Sequence, residues 1–444
     1  MKESKWLKKE VITWVVRLIV GGTFVVSGFV KAIDPWGLLY KSDEYLAAMS
    51  LDIWPNLQLV GVFCLSALEF LIGIFLLFGC FRRSVAVVAT LVIAFMLPLT
   101  LWLALGNPVE DCGCFGDAFV ISNWTSFWKN VALAVGVVWL WRNNKSCSWL
   151  VTPALQWLVF VVSSVFILII ELFGYISQPL LDFRPYHTGM TLVDSSNKDE
   201  TDSRFIFIYE KDGVRKEINE DEELPDENEG WEFIDRVEEI ASNSVGADDA
   251  NARNLRIWAV NSDEDMTDEA ISDSGNELIV MMPNLKEVSP ATTWKLNSLY
   301  EWSEKHGVKM IGVVAGSPAE IDDWEDISMA SYPIYSADDT QIKEVVRGNP
   351  GVVYLMNGVI EWKSTLTALN IDDFMSPEIA DDAKSFGLDN LAILRNCSYT
   401  YLIVMMALVL LSFIPKMKDF YLKSFPSKVK SEEEEVIYDD TAHP

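Results

Sequence analysis

Six apolar runs punctuate the chain, each long enough, or nearly so, to cross the roughly 30 Å of a bilayer's hydrocarbon core. Val11–Ile33 follows Lys2, Lys5, Lys8 and Lys9 and ends in Lys31 and Asp34. It lacks a small-residue cleavage site, so it reads as a retained helix rather than a signal peptide. Leu57–Cys80 comes next, closed by Arg82 and Arg83, then Val85–Leu105 with Pro98 as its kink. Phe127–Trp141 is short for a span unless it begins near Trp124. Leu155–Phe173 follows Pro153, a residue that a helix start tolerates, and Tyr399–Ile414 is the last run. Between the first two runs, residues 34–55 are polar and aromatic, with Trp36, Tyr40, Tyr45 and Trp54. That pattern predicts an interfacial loop or a short helix lying on the surface.

From Gly174 to Cys397 the pattern changes. Arg204–Tyr209 reads as a strand with Lys211-Asp212-Gly213 as its hairpin turn, and residues 221–230 as a charged loop. Residues 231–242 have helical spacing. Strands are expected at 255–261, 277–282 and 308–315, helices at 294–306 and 340–346. A final hairpin, 351–356 and 359–363, turns on Asn357-Gly358. Strands alternating with helices predict an α/β sheet with covered faces.

Charge sharpens this division. The 444 residues are half hydrophobic and yet carry a net charge of −29. The block from 174 to 397 holds 46 acidic and 18 basic residues, a balance of −28, so the remainder is nearly neutral. No basic footprint for nucleic acid exists. Lys and Arg cluster at the N-terminus, at Arg82-Arg83, at Arg142–Lys145 and after the last run, from Lys416 to Lys430. With six spans all four clusters fall on one side, which the positive-inside rule assigns to the cytoplasm. The expected architecture is an α-helical membrane bundle with an extracytoplasmic α/β domain. Residues 1–148 form a four-helix unit, 149–174 a fifth span, 175–397 the acidic domain, 398–415 a sixth span and 416–444 a cytoplasmic tail. The tail's acidic end, Glu432–Glu435 with Asp439 and Asp440, reads as disordered.

The candidate chemistry centres on Asp111-Cys112-Gly113-Cys114-Phe115-Gly116-Asp117, between the third and fourth runs. Facing outward, Cys112 and Cys114 lie where disulfides persist. A ring closed across one residue is strained, and strain makes a disulfide more oxidising. Gly113 permits the turn. Asp111 and Asp117 disfavour a thiolate nearby; they could instead handle protons during exchange. Three readings stay open: thiol exchange, a structural staple, and a metal site drawing on the two aspartates. Cys64 is a relay partner or a small buried hydrophobe. Cys80 and Cys147 lie near the cytoplasmic face and Cys397 near the outer one. Arg17 and Glu69 are ionisable groups inside spans, which usually face partners or a cavity. They reach comparable depths in antiparallel neighbours, so an ion pair locking the bundle is expected, with a proton-relay or quinone-site role as the alternative. His187 and His306 lack ligand or triad spacing and read as surface residues.

Arg17, Gly21, Phe24, Ser27-Gly28 and Lys31 in the first span, with Glu69, Gly73, Leu76-Leu77, Gly79 and Arg82 in and after the second, resemble the DoxX family of four-helix membrane proteins. The Cys-Gly-Cys-Phe-Gly loop is similar to that of the related MauE proteins. Over roughly residues 10–145 this resemblance implies thiol or sulfur oxidation, in some members coupled to quinone and in MauE to disulfide formation in a periplasmic enzyme. It implies a bacterial inner-membrane protein, in contact with lipid, acting on a periplasmic thiol client, with Cys112, Cys114, Asp111, Asp117, Glu69 and Arg17 as site residues. Residues 275–370 resemble a thioredoxin-like domain, with Asn349-Pro350 at its cis-proline loop. Pro283-Asn284-Leu285-Lys286 stands where that family has Cys-x-x-Cys, and no cysteine lies between Cys147 and Cys397. The domain is therefore expected to be unable to exchange disulfides itself. Oligomeric state is not legible. The competing expectation is a membrane-tethered binding or assembly protein whose cysteines only staple a loop.

Overall fold

A computed structural model describes residues 2–109, 111–143, 149–192, 204–211, 214–219, 232–239, 255–262, 264–272, 274–375 and 386–424. The chain divides into two units, one formed by 1–184, 364–370 and 385–444, the other by 185–363 and 371–384. Helices α1 (Lys2–Ile33), α2 (Pro35–Ala48), α3 (Pro55–Phe78), α4 (Arg82–Gly106), α5 (Asn123–Arg142) and α6 (Gln156–Ile176) open the chain. Shorter helices follow: α7 (Thr267–Ala270), α8 (Thr293–His306), α9 (Pro318–Ser328), α10 (Asp339–Val345) and α11 (Ile371–Met375). The last helix is α12 (Asn390–Ser424).

Among the described residues, five helical stretches have the length and apolarity to cross a membrane: Lys9–Ile33, Pro55–Phe78, Arg82–Gly106, Pro153–Ile176 and Asn390–Pro415. The expected fourth span, α5, is not among them, because Asn123, Ser126, Lys129 and Asn130 dilute its apolar run. It does begin ahead of Trp124, and its 20 residues extend about 30 Å. Asn123 Nδ2 donates to Asn107 Oδ1 at 2.9 Å, and Trp139 Nε1 donates to Thr13 Oγ1 at 3.3 Å. These contacts at its two ends show α5 running antiparallel to α4 and to α1 along most of their length. At α12, Ser163 and Tyr401 hydroxyls meet at 2.9 Å and Thr152 N donates to Ser412 Oγ at 3.1 Å, so α12 runs back along α6.

The segment after α1 is helical because Asp34 caps it. Its carboxylate accepts from Gly37 N at 2.9 Å, and Pro35 takes the first helical position. α1 and α3 approach closely through small residues, as membrane helices do when van der Waals packing rather than hydrophobicity holds them. A Cβ on Gly28 would lie 2.6 Å from Ser66 O, and one on Gly73 2.5 Å from Val25 N.

In the second unit, β1 (Arg204–Lys211), β2 (Val214–Asn219) and β3 (Glu232–Glu239) form an antiparallel sheet in the order β2-β1-β3. The helix expected over 231–242 is thus a strand in its described part. Short runs rich in Phe, Ile and Val fit either period, and pairing with β1 decides. A second sheet has the order β6-β5-β4-β7-β8, from β4 (Asn276–Met282), β5 (Lys309–Val314), β6 (Ile334–Ser336), β7 (Gly351–Met356) and β8 (Val359–Thr365). β4, β5 and β6 run parallel and β7 antiparallel to β4. β4 is buried from Glu277 onward, as a strand covered on both faces should be. The strand expected at 255–261 makes only isolated bridges, from Trp258 to Ser336 and Asp265. The 221–230 loop and the acidic tail end lie outside the described residues.

Replacing Gly73 by leucine drives a side chain into the α1 backbone and should lower unfolding stability in detergent by about 1–3 kcal/mol. Gly22→Ala, where a Cβ meets nothing within 4 Å, should leave the thermal midpoint unchanged; equal midpoints for both variants would contradict the close approach.

Candidate functional site

Thr23, Ser27 and Lys31 follow one another at four-residue intervals along one face of α1. Ser27 and Lys31 are buried there. The Lys31 ammonium has three hydrogens and three partners: Glu69 Oε2 at 2.6 Å, Ser27 Oγ at 2.7 Å and Cys114 O at 2.8 Å. Ser27 Oγ also lies 2.7 Å from Glu69 Oε2 and 2.8 Å from Cys114 O. Lys31 and Glu69 are only 5% and 6% exposed. A buried pair of this kind persists because each charge is both paired and hydrogen-bonded. It fastens the cysteine loop to α1 and α3.

α2 holds the loop's other flank. Tyr45 Oη donates a hydrogen bond to Cys112 O. Burial, with Asp111 and Glu44 close by, raises the Tyr45 pKa and keeps the phenol a donor. Asp111 accepts from Gly113 N at 2.9 Å and pairs with Lys41 at 2.6 Å. Burial alone would lower the Lys41 pKa, but Asp111 and Glu44 outweigh it and raise it. Gly113 sits at φ +60°, and a Cβ there would meet Lys41 Cγ at 2.7 Å. Both facts restrict the position between the cysteines to glycine. Cys112 and Cys114 are joined as a disulfide with Cα atoms 5.3 Å apart. Cys112 is 7% exposed and Cys114 half-buried. The Phe115 ring lies under the Lys129 ammonium, 4.3 Å away.

Both cysteines line a cavity of about 540 Å³ built from α1 to α5. Its walls are mostly apolar, including Phe24, Leu65, Ile93, Met96, Leu99 and Leu133. Three charged residues line it: Lys31, Glu69 and Lys129. Glu171, fully buried on α6, meets the Ser66 hydroxyl outside this lining.

The structure gathers Cys112, Cys114, Asp111 and Glu69 around one loop. Asp117 stands exposed just beyond, in the turn Gly116–Ala118. Arg17 is elsewhere, and the expected Arg17–Glu69 pair does not form. Gly28 packs against Ser66 and Phe70, so Glu69 lies level with Ser27, and Arg17 sits ten residues, about 15 Å, further back along α1. Arg17 instead donates to Leu76 O at 2.8 Å and Leu77 O at 2.9 Å and stacks on Trp14. These carbonyls lie in the last turn of α3, where Leu76 O also accepts from Gly79 N at 3.3 Å, and Arg17 adds side-chain donors to that helix end. Lys31, Ser27, Lys41, Tyr45 and Lys129 were not singled out as site residues. Ser27 and Lys31 entered only through the resemblance to DoxX proteins, and their i, i+4 spacing was a second readable signal.

Cys64 is exposed on α3 rather than buried, and is not among the cavity's lining residues. Cys80 is buried near Arg17, and Cys147 lies outside the described residues. His187 and His306 are exposed, each bonded to a backbone carbonyl. Among the described residues no group of three or more His, Cys, Asp or Glu is placed to hold a metal.

Residues 9–142 match the family described as methylamine utilisation protein MauE. Residues 204–243, which include the three-stranded sheet, match a domain of unknown function (DUF8463). None of the curated proteins matches the chain. The helices and the MauE match fit a multi-pass membrane protein.

Lys31→Met strands a buried carboxylate and should cost about 3–5 kcal/mol of unfolding stability. Adding Glu69→Gln should recover most of the loss, read as the thermal midpoint in detergent. If the single variant is as stable as the parent, the pair does not hold the loop.

Proposed function

We propose that the chain is a bacterial inner-membrane protein that takes part in extracytoplasmic thiol–disulfide chemistry, with Cys112 and Cys114 as the exchanging pair. The observation that carries this reading is the pair's position in the wall of an apolar cavity whose three charged residues lie against the cysteine loop or its immediate partners. A client thiolate attacks Cys114, the more accessible sulfur, and Cys112 leaves as a thiolate. A second client thiol then resolves the mixed disulfide, leaving the client oxidised and both cysteines reduced. Asp117, exposed beside the loop, takes up and returns protons during exchange.

Restoring the disulfide needs a two-electron acceptor. The apolar walls suit a quinone, which supplies the uptake of two electrons and two protons as the dithiol closes. The basic clusters support a periplasmic setting for the cysteine loop and the acidic domain. The order β6-β5-β4-β7-β8 supports a thioredoxin-like domain, and so does the contact between Asn349 Nδ2 and Asn284 O at 2.5 Å beside the cis Asn349-Pro350 bond. Without cysteines of its own, this domain docks clients.

One set of contacts favours the rival reading of a structural staple. Tyr45 and Lys31 grip the carbonyls of both cysteines, as a passive loop anchor would. A graded redox titration with alkylation separates the two. An exchanging pair titrates in mild thiol buffers, and Cys112→Ser accumulates a mixed disulfide with a periplasmic protein at Cys114, more than Cys114→Ser does at Cys112. A pair that resists mild reductant and traps nothing in either variant sinks the exchange reading.

A further inference from the structure

Each cation near the disulfide, with one exception, has a carboxylate partner. On α1, Lys31 is paired with Glu69 of α3. On α2, Lys41 is paired with Asp111 and Glu44. Lys129 of α5 lines the same cavity as both sulfurs, and among the described residues no ion pair engages it. Its contact is the face of Phe115, the residue after Cys114, at 4.3 Å. A cation–π contact orients an ammonium without neutralising it.

Opening the disulfide creates negative charge in this half-buried setting. A thiolate placed next to a cation is stabilised, and one placed in apolar surroundings alone is not. The titratable and charged groups around the pair are Lys31 from α1, Lys41, Glu44 and Tyr45 from α2, Glu69 from α3, Asp111 and Asp117 from the loop, and Lys129 from α5. Glu69 is paired with Lys31, while Asp111 and Glu44 share Lys41. Among these three lysines, Lys129 is the one whose ammonium no carboxylate engages in an ion pair, so it is the cation left to answer a new negative charge in the cavity.

We propose that Lys129 supplies the positive charge that stabilises the thiolate released when the Cys112–Cys114 disulfide is opened. The inference rests on the exchange reading. In the first step the client sulfur bonds to Cys114 Sγ, the bond between the two cysteine sulfurs breaks, and its electron pair stays on Cys112 Sγ. Lys129, in the wall of the same cavity, offsets that new charge. The thiolate gains its proton only as the second client thiol loses one.

The test uses full-length reduced protein in lipid nanodiscs. The alkylation rate of the Cys112 and Cys114 peptide is followed against pH by mass spectrometry, which separates it from the other four cysteines. Lys129→Gln should move the thiol's apparent pKa up by about one unit, a roughly tenfold slower reaction at neutral pH. Lys129→Arg should stay close to the parent. If Lys129→Gln fails to fold, Lys129→Met carries the same expectation. The disulfide of the neutral variant should also be harder to reduce in thiol buffers. A folded neutral variant whose pH profile and redox midpoint coincide with the parent's overturns the role of Lys129, while a trapped client adduct would still leave the exchange reading standing. A parent pair that neither titrates nor traps a client removes both.

Discussion

Three hydrogens on one ammonium hold together the end of the bundle that carries the cysteine loop. Lys31 is buried among α1, α3 and the cysteine loop, and it joins Glu69, Ser27 and the carbonyl of Cys114. A lone charge in this setting costs several kcal/mol, so neither Lys31 nor Glu69 tolerates the loss of the other. The close packing of α1 on α3 follows from the same demand. Small residues at Gly28 and Gly73 bring the backbones near enough for a lysine from one helix to reach a carboxylate on the next. The loop then has little freedom: one flank is fixed from α1, and the other from α2 by Tyr45 and Lys41. The cavity lies where these five helices leave space beneath the pair.

This arrangement changes the meaning of the aspartates that ring the cysteines. Read along the chain, Asp111 opposes a thiolate. In the fold its charge is absorbed by Lys41, and one of its oxygens is used to hold Gly113 N. Asp111 acts on the backbone conformation between the cysteines rather than on their charge. Its removal would leave Lys41 beside Glu44 alone, so the loop's shape and the local charge balance are tied to one residue.

The broad plan was legible because its signals are long. Apolar runs of about twenty residues announce membrane helices whatever their neighbours, and β4, β5, β7, β8 and α8 fall within one or two residues of their expected bounds. Failures came where a signal is short or depends on a partner. Residues 231–242 fit two periods, and only β1 selects between them. The strand at 255–261 lacks a neighbour to pair with beyond single bridges. α9 was overlooked although Ser317-Pro318-Ala319-Glu320 spells a capping box, which the fold forms. Of the site, the cysteines and Glu69 were visible because a Cys-Gly-Cys loop and a charge in a span stand out alone. Lys31 was hidden because it sits at a helix end, where a lysine reads as an interfacial anchor. Pairing Glu69 with Arg17 failed on register, which sequence fixes only once the contact glycines are known.

α5 shows how the site constrains the bundle. Among the described residues it is the one of the six long helices in this unit without an apolar stretch long enough to cross a membrane. Its polar residues are concentrated in the first two turns. Asn123 holds Asn107 Oδ1 and Val109 O, Asn130 meets Thr100, and Lys129 covers Phe115. Each of these contacts faces either the loop that carries the cysteines or the α4 end that leads into it. Polar groups in a helix at membrane depth are costly unless they are satisfied by protein or by a cavity. The hydropathy that α5 gives up is therefore spent on positioning the loop and lining the cavity, while its second half, from Val131 to Leu140, keeps the apolar character of an ordinary span.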